Sequence, residues 1–216
     1  ELAGQHDAGV DLRVDDKHLF SLRVLEQGLV RVFIQRHGEL ALDRTWSIAP
    51  QNDVPWEGRD RLSNDGFTVP GYQLTQGDDH LILTTDARRV TVHQPLWLEW
   101  EYKNEAGTWL PLAKDRKTGA YMLGVKGDES AHYQLREPQD GVFGLGEKAG
   151  DLNRSGRRFE MRNLDAMGYN AASTDPLYKH IPFTMTRRND VSFGMFYDNL
   201  SNVWLDLGNE LDNYHL

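Results

Sequence analysis

Alternation of apolar and polar residues recurs along the chain and limits the folds open to it. In "GLVRVFIQR" (28–36), Val30, Val32 and Ile34 fall on one side of an extended backbone, while Arg31 and Gln35 fall on the other. The same alternation marks "PLWLEWEYK" (95–103), "VSFGMFY" (191–197) and "SNVWLDLG" (201–208). A period of two is typical of antiparallel strands that bury one face and wet the other. No segment of a dozen residues carries a convincing helical period.

Turn signals separate these strands at short intervals. "KNEAG" (103–107) predicts a hairpin in which Gly107 takes a positive φ, and "TTDARRVTVH" (84–93) predicts a second one around Asp86 and Ala87. "ESAHYQLRE" (129–137) fits a strand as well as a helix. Many short strands at this spacing are typical of a sandwich or barrel. In 216 residues they predict an all-β fold, a large antiparallel β-sandwich, with 50–66 as a long surface loop.

Composition excludes several classes of function. The chain has no cysteine, so disulfides, thiolate metal ligands and a cysteine nucleophile are excluded. Its net charge of −9 argues against nucleic-acid or anionic-membrane partners. We find no leader sequence and no apolar run long enough to span a membrane, so a cytoplasmic location is expected.

Most motifs that would carry chemistry are absent. "GLGEKAG" (144–150) has the wrong spacing for a dinucleotide fingerprint, and Lys148 is not followed by the Ser or Thr of a P-loop. The eight histidines include no pair at metal-ligand spacing. No G-x-S-x-G elbow is present, and none of the 33 acids forms a recognisable catalytic pair. We therefore expect no metal, no cofactor and no catalytic residue.

The segment "RNLDAMGYN" (162–170) is different, because its Asn and Gly residues mark a loop rather than a strand. The carboxylate of Asp165 could accept hydrogen bonds from two vicinal hydroxyl groups of a sugar, and Met167 and Tyr169 could cover the C–H face of the ring. From these residues alone, the favoured interpretation of Asp165 is the anchor of an Asx-type turn.

The segment 142–183, "VFGLGEKAGDLNRSGRRFEMRNLDAMGYNAASTDPLYKHIPF", resembles the N-terminal domain of α-glucosidase-like enzymes, family 31 of the glycoside hydrolases. "SFGMFYDN" (192–199) and "LGNELDNYHL" (207–216) follow in the expected order. The resemblance implies a galactose-mutarotase-like supersandwich that precedes a (β/α)₈ barrel. In such enzymes the barrel carries both catalytic aspartates, which cleave α-linked sugars by a retaining mechanism.

A barrel of that kind needs about 250 residues of alternating strand and helix, and this chain contains none of it. The resemblance therefore implies that residues 1–216 form the N-terminal domain of a longer enzyme acting on α-linked glucosides or xylosides. This domain would be inactive alone, and the barrel and an α-linked oligosaccharide or disaccharide would be its partners.

The resemblance also implies roles for individual residues. Asp165 would touch sugar hydroxyls near the scissile bond, Asn163 would brace the loop, and Tyr169 would line the site. The remaining residues would be structural: Gly144 and Gly146 for tight backbone passage, Lys148, Arg157 and Arg158 for ordering loops, and Pro182 for starting a core strand.

Two other classes of function stay open at this point. A stand-alone carbohydrate-binding sandwich would use Trp56, Trp97 or Trp109 as a stacking platform. A mutarotase-like epimerase would need a His and a Glu that converge on one sheet face, and the sequence indicates no such pair.

A sandwich separated from its barrel would also expose an apolar face near residues 165–183 or form a homo-oligomer through it.

Overall fold

The computed structural model describes residues 1–124, 127–210 and 214–215. These contain twenty β-strands and no α-helix, so the all-β prediction is confirmed. The strands are β1 (Leu2–His6), β2 (Gly9–Val14), β3 (His18–Glu26), β4 (Leu29–Gln35), β5 (Arg44–Thr45), β6 (Arg59–Asp60), β7 (Gln73–Gln76), β8 (His80–Thr84), β9 (Arg88–His93), β10 (Trp97–Lys103), β11 (Trp109–Lys114), β12 (Tyr121–Leu123), β13 (Ser130–His132), β14 (Gln134–Leu135), β15 (Gly141–Gly146), β16 (Arg158–Met161), β17 (His180–Arg188), β18 (Val191–Phe196), β19 (Val203–Asp206) and β20 (Tyr214–His215). The chain divides into two compact units, a first unit of Glu1–Ala113 and a second unit of Lys114–Leu216.

The first unit contains a four-stranded sheet in the order β1-β2-β3-β4. Phe20 and Leu22 of β3 are fully buried and pair with Ile34 and Val32 of β4. Because cross-strand partners share a face, the apolar side of residues 30–34 lies on the side of Phe20 and Leu22, although Val32 and Ile34 themselves are half-buried. The expectation that Gln35 lies on a solvated face is wrong, because Gln35 is buried.

The first unit also contains a five-stranded sheet in the order β11-β10-β9-β8-β7. Both predicted hairpins are confirmed: Thr85 donates to the carbonyl of Arg88 between β8 and β9, and Gly107, at a φ of 79°, closes the turn from β10 to β11. The 50–66 segment lies inside this unit and contains only the short strand β6.

The second unit contains the three-stranded sheet β15-β17-β18 and the pairs β16-β19, β12-β13 and β14-β20. "ESAHYQLRE" forms strands β13 and β14, which settles the ambiguity of its pattern. The second unit has a core cluster of six buried side chains from β15, β16, β19 and the residue after β19: Val142, Leu145, Phe159, Met161, Leu205 and Leu207.

Strand β17 reverses the expected pattern of burial. Thr184 and Thr186 are buried, whereas Ile181, Phe183 and Met185 on the opposite face are 38–53% exposed. The strand is central in its sheet, so this exposed face is a sheet surface and not an edge.

The prediction that Pro182 starts this strand is wrong, because the strand begins two residues earlier at His180. Pro182 lies where the pairing with β15 is irregular, between the pairs Gly144–Thr184 and Gly146–His180. Proline has no N–H to donate, and a central strand tolerates it only where the ladder is interrupted. The irregularity thus explains its position inside the strand.

Candidate functional site

The segment 162–179, called the 162–179 loop below, joins β16 to β17 and carries all three residues predicted to meet a sugar. It is fixed from within by a small cluster in which Ala166 and Leu177 pack against Ala149. Because Ala166 points into this cluster, the residues on either side of it are left at the surface.

Asp165 lies at that surface with an exposed side chain. Its carboxylate makes no hydrogen bond or ion pair with any residue in the described part of the chain. The Asx-type turn that the sequence favoured is therefore not formed. An exposed carboxylate with both oxygens unused retains its full capacity to accept hydrogen bonds from a ligand.

The other two predicted residues are also exposed, but each contacts a neighbouring group of the protein. Asn163 accepts a hydrogen bond from the backbone N–H of His180 at 3.1 Å, which ties the start of the loop to β17. Tyr169 is half exposed and meets Tyr178 edge-on, with ring centroids 6.1 Å apart. Tyr178 donates its hydroxyl to the carbonyl of Ala166 at 2.8 Å, so this pair holds the middle of the loop.

A buried ion pair closes the base of the loop. The side chain of Lys148 is fully buried. Its ammonium group donates to Asp175 at 2.8 Å and to the carbonyl of Glu160 at 2.6 Å. The second oxygen of Asp175 accepts the N–H of Glu160 at 2.6 Å. The N–H of Glu160, two residues before the loop, is thus bonded directly to Asp175 within the loop, and its carbonyl is linked to the same residue through Lys148.

Arginines secure the neighbouring backbone. Arg157 donates to the carbonyl of Ala149 at 2.8 Å, and Arg154, which is buried, donates to that of Asp151 at 2.6 Å. Arg158 instead stacks on Trp204 and pairs with Glu210. Lys148 and Arg157 therefore order loops, as predicted.

Gly144 and Gly146 also have the structural role predicted for them. A Cβ atom at Gly144 would lie 2.5 Å from the carbonyl oxygen of Phe183, and one at Gly146 would lie 2.9 Å from that of Lys179. Backbones this close leave no room for a side chain.

The loop base should weaken in acid through His180. Burial, and then the nearby ammonium of Lys148, lower the pKa of His180 below 6.5, although the Arg162 backbone opposes this by accepting a hydrogen bond from the ring. The unfolded state therefore binds a proton more readily, and the stability contributed above pH 6.5 is lost as the pH falls below that value. We expect the wild-type chain to lose more unfolding free energy between pH 7.5 and 5.5 than His180→Gln, measured by urea titration. Equal losses in the two proteins would contradict this.

An exposed apolar surface accompanies the site, as predicted for residues 165–183. Met167 is 90% exposed, and the outward side of β17 adds Ile181, Phe183 and Met185. The Phe183 ring lies against Gly194 of β18, where a Cβ would come within 2.6 Å of it. We call Ile181, Phe183 and Met185, with the adjoining Phe143, the β17 face.

The three tryptophans considered for a stacking platform differ in exposure. Trp97 is only 8% exposed and stacks on His93, and Trp109 lies under the cations of Arg89 and Lys103. Trp56 is 96% exposed. Of the three, Trp56 alone presents a fully exposed ring.

A His–Glu pair, which sequence reasoning missed, lies on the five-stranded sheet. His93 and Glu99 are 2.9 Å apart across β9 and β10, and the Trp97 ring covers the imidazole at 3.7 Å. A cross-strand bond beneath a stacked ring accounts for the pair structurally. The epimerase alternative stays a hypothesis that the optical rotation of fresh glucose would test.

No helix of the described residues is long and apolar enough to cross a membrane, and those residues contain no group of three or more His, Asp or Glu placed to hold a metal ion. The cytoplasmic location stays a prediction.

Comparison with known proteins decides the family. Residues 19–206 match the glycosyl hydrolase 31 N-terminal galactose mutarotase-like domain. The chain belongs to this domain family. It is 34% identical over 199 residues to α-glucosidase 2 of Bacillus thermoamyloliquefaciens, covering 92% of this chain and 23% of that protein. It is also 41% identical over 69 residues to an α-glucosidase of Saccharolobus solfataricus, covering 32% and 10%.

Solved structures confirm the antiparallel β-sandwich of family 31 N-terminal domains. A Flavobacterium johnsoniae GH31 dextranase complexed with glucose superimposes with a TM-score of 0.73 at 20% identity, covering 98% of this chain and 25% of that one. The cycloalternan-forming enzyme of Listeria monocytogenes, in complex with a pentasaccharide substrate, gives 0.72 at 14% identity, covering 100% and 18%. The chain thus spans about a quarter or less of these relatives.

Within the family 31 domain, sequence reasoning missed the partner that holds the loop. Lys148 was predicted to order a loop, but Asp175, 27 residues later, was not connected with it. The one local feature that marks Asp175 in the sequence is the Asp-Pro step at the start of "DPLYKHIPF", which favours a turn but does not indicate a partner. The bond from buried Arg154 to the carbonyl of Asp151 was also not predicted.

Proposed function

We propose that the chain is the non-catalytic N-terminal domain of a longer retaining α-glycosidase acting on α-linked glucosides or xylosides, and that its 162–179 loop contributes to the substrate site. The observation that carries this proposal is the position of Asp165. Its carboxylate is exposed and unbonded, on a loop held by the Lys148–Asp175 pair, by the hydroxyl of Tyr178 and by the side chain of Asn163.

The chemistry of Asp165 suits a sugar. A carboxylate can accept two hydrogen bonds from vicinal hydroxyl groups, and Met167 and Tyr169 offer exposed apolar surface for the C–H side of a ring. A charge-assisted hydrogen bond of this kind contributes about 1.5–3 kcal/mol. Because the loop is already ordered, little entropy is lost when the sugar binds.

The β17 face supports the view that further polypeptide covers this unit. Exposed apolar patches on a central sheet are characteristic of interaction surfaces. Relatives that contain this domain are about four times longer, since the chain spans 23% of the α-glucosidase from Bacillus thermoamyloliquefaciens. We assign the face to the catalytic barrel of the parent enzyme. The alternative is that a second copy of the isolated chain binds the same face.

Hydrolysis is assigned to the parent enzyme. Cleavage with retention needs two carboxyl groups about 5–5.5 Å apart across the glycosidic bond. Asp165 is offered as a binding residue only, so we expect the isolated chain to be inactive. A stand-alone carbohydrate-binding module is the alternative function, and the exposure of Trp56 is the observation in its favour.

The test is Asp165→Ala and Asp165→Asn in the full-length enzyme, assayed on an α-linked disaccharide. We expect kcat/KM to fall by about one to two decades, the equivalent of the lost hydrogen bond. The Asn variant should retain part of the activity, because its amide oxygen still accepts. Glu105→Ala, in the exposed hairpin turn between β10 and β11, is the matched control and should leave kcat/KM unchanged. Unaltered kinetics of both Asp165 variants would rule out the assignment.

A further inference from the structure

The longest connection in the first unit, residues 36–72 between β4 and β7, is held by arginines bonded to backbone carbonyls. Arg31, on β4, donates to the carbonyls of Arg61 and Leu62, each at 2.9 Å, and to the side chain of Asn64 at 2.8 Å. Long connections with little secondary structure are usually either functional or disordered. This one is anchored, which favours function.

Further arginines fix the part of the connection nearest to β5 and β6. Arg61 is buried and reaches the carbonyl of Arg44 at 2.8 Å, while Arg59 reaches that of Asp65 at 2.8 Å. Gly66 adds a close contact, since a Cβ there would lie 2.8 Å from the ring of Pro50. The segments that flank residues 46–58 are therefore bonded to arginines, and Pro50 within this turn lies close to Gly66.

That turn presents two tryptophans. Trp46 lies with its ring on Gly58, where a Cβ would come within 2.8 Å of the indole, and the left-handed φ of 77° also favours glycine at this position. The indole N–H of Trp46 donates to the carbonyl of Trp56 at 3.0 Å, which links the two residues. Trp46 remains 45% exposed and Trp56 is 96% exposed.

We propose that Trp46 and Trp56 form a stacking platform for neutral carbohydrate chains, a binding site on the first unit that is additional to the Asp165 loop on the second. An exposed indole face on a fixed backbone loses little entropy when a sugar ring stacks on it. Glu57 follows Trp56 directly, and Asn52 and Asp53 lie in the same turn. All three side chains are exposed and of a type that bonds sugar hydroxyl groups.

The surroundings of the platform favour a sugar over other ligands. The two acidic side chains next to Trp56 disfavour phosphate-bearing partners such as nucleic acid or anionic lipid. A stable protein interface buries about 800 Å² on each partner, whereas one tryptophan presents about 150–250 Å². A single sugar ring is matched to one indole face. The choice of α-glucans among carbohydrates rests on the proposed function.

The experiment is an NMR titration of the 216-residue chain with maltoheptaose, following the indole N–H signals of its six tryptophans. We expect the signals of Trp46 and Trp56 to shift together and saturably. Trp56→Ala should weaken binding about tenfold or more, and Trp56→Tyr should recover much of it, because a phenol ring still stacks. Trp56 is so exposed that neither change should affect folding.

Two controls make the result specific. Trp204→Ala removes a tryptophan that is 51% exposed but lies under Arg158 in the second unit, and should leave the affinity unchanged. Glu105→Ala, which removes an exposed carboxylate from the turn between β10 and β11, should also leave it unchanged. Because the readout is confined to the indole signals of Trp46 and Trp56, failure of the proposed function of Asp165 would not register here. If maltoheptaose shifts neither Trp46 nor Trp56, or binds Trp56→Ala as well as wild type, the platform is overturned. Self-association that Trp56→Ala abolishes, without sugar binding, would assign the surface to protein contacts and also overturn it.

Discussion

Asp175→Ala is expected to destabilise the second unit by about 3–5 kcal/mol, the cost of leaving a buried charge without its partner. Lys148 has a fully buried side chain, and after the change only the carbonyl of Glu160 would remain to receive its protons. The N–H of Glu160 would also lose its acceptor. Loss of this one carboxylate therefore removes the hydrogen bonds of two donors, the Lys148 ammonium group and the Glu160 N–H.

Asp165→Ala is the matched control, because it deletes the same functional group from the same loop at an exposed, unbonded position. We expect it to change the unfolding free energy by no more than about 0.5 kcal/mol. Urea titration of both variants, with amide hydrogen exchange of the segment 158–180, would measure the difference. Equal stability of the two variants would show that the Lys148–Asp175 pair does not hold the loop.

A double variant separates the ion pair from the loop it closes. Lys148→Met combined with Asp175→Ala removes both charges, so no uncompensated ammonium group remains in the interior. We expect it to be more stable than Asp175→Ala alone, since replacing a whole buried pair costs much less than breaking it. It should remain less stable than wild type, because the Glu160 N–H still lacks its acceptor. A double variant no more stable than Asp175→Ala would locate the loss in the Glu160 bond instead.

The strands could be predicted from the sequence because burial of one face imposes a period of two. Leu81 and Leu83 of β8 follow that rule, and so do Val90 and Val92 of β9. Elsewhere the rule is less strict, since Gln35 and Asp206 are buried on the side predicted to be solvated. The rule fails for β17, where Thr184 and Thr186 are buried and Phe183 is exposed. Periodicity assigns residues to two faces, but it does not say which face is covered. An interaction surface therefore has the same sequence pattern as a core.

The site was predictable only in part. The Asn and Gly residues around Asp165 mark a loop, and that local signal correctly placed the carboxylate at the surface. What fixes the loop is non-local, since Lys148 and Asp175 are far apart in sequence and meet only in the folded chain. The same limit applies to Trp46, whose ring packs on Gly58, a residue further along the chain.

Gly144→Ala is the second change expected to have a large effect, and it tests the close approach of β15 to β17. Gly144 has a φ of 110°, and an added Cβ would lie 2.5 Å from the carbonyl oxygen of Phe183. The dihedral strain costs about 1–3 kcal/mol. Overpacking adds about 1–3 kcal/mol more, because the obstructing atom belongs to the backbone of a central strand and cannot rotate away.

Gly156→Ala separates the two contributions. Gly156 has a φ of 77°, and nothing lies within 4 Å of where its Cβ would be, so only the dihedral strain applies. We expect Gly144→Ala to lose more unfolding free energy than Gly156→Ala in urea titration, with faster amide exchange in β15 and β17. If the two variants were equally stable, the strands would be free to move apart. The position of the β17 face, which depends on that contact, would then not be fixed by Gly144.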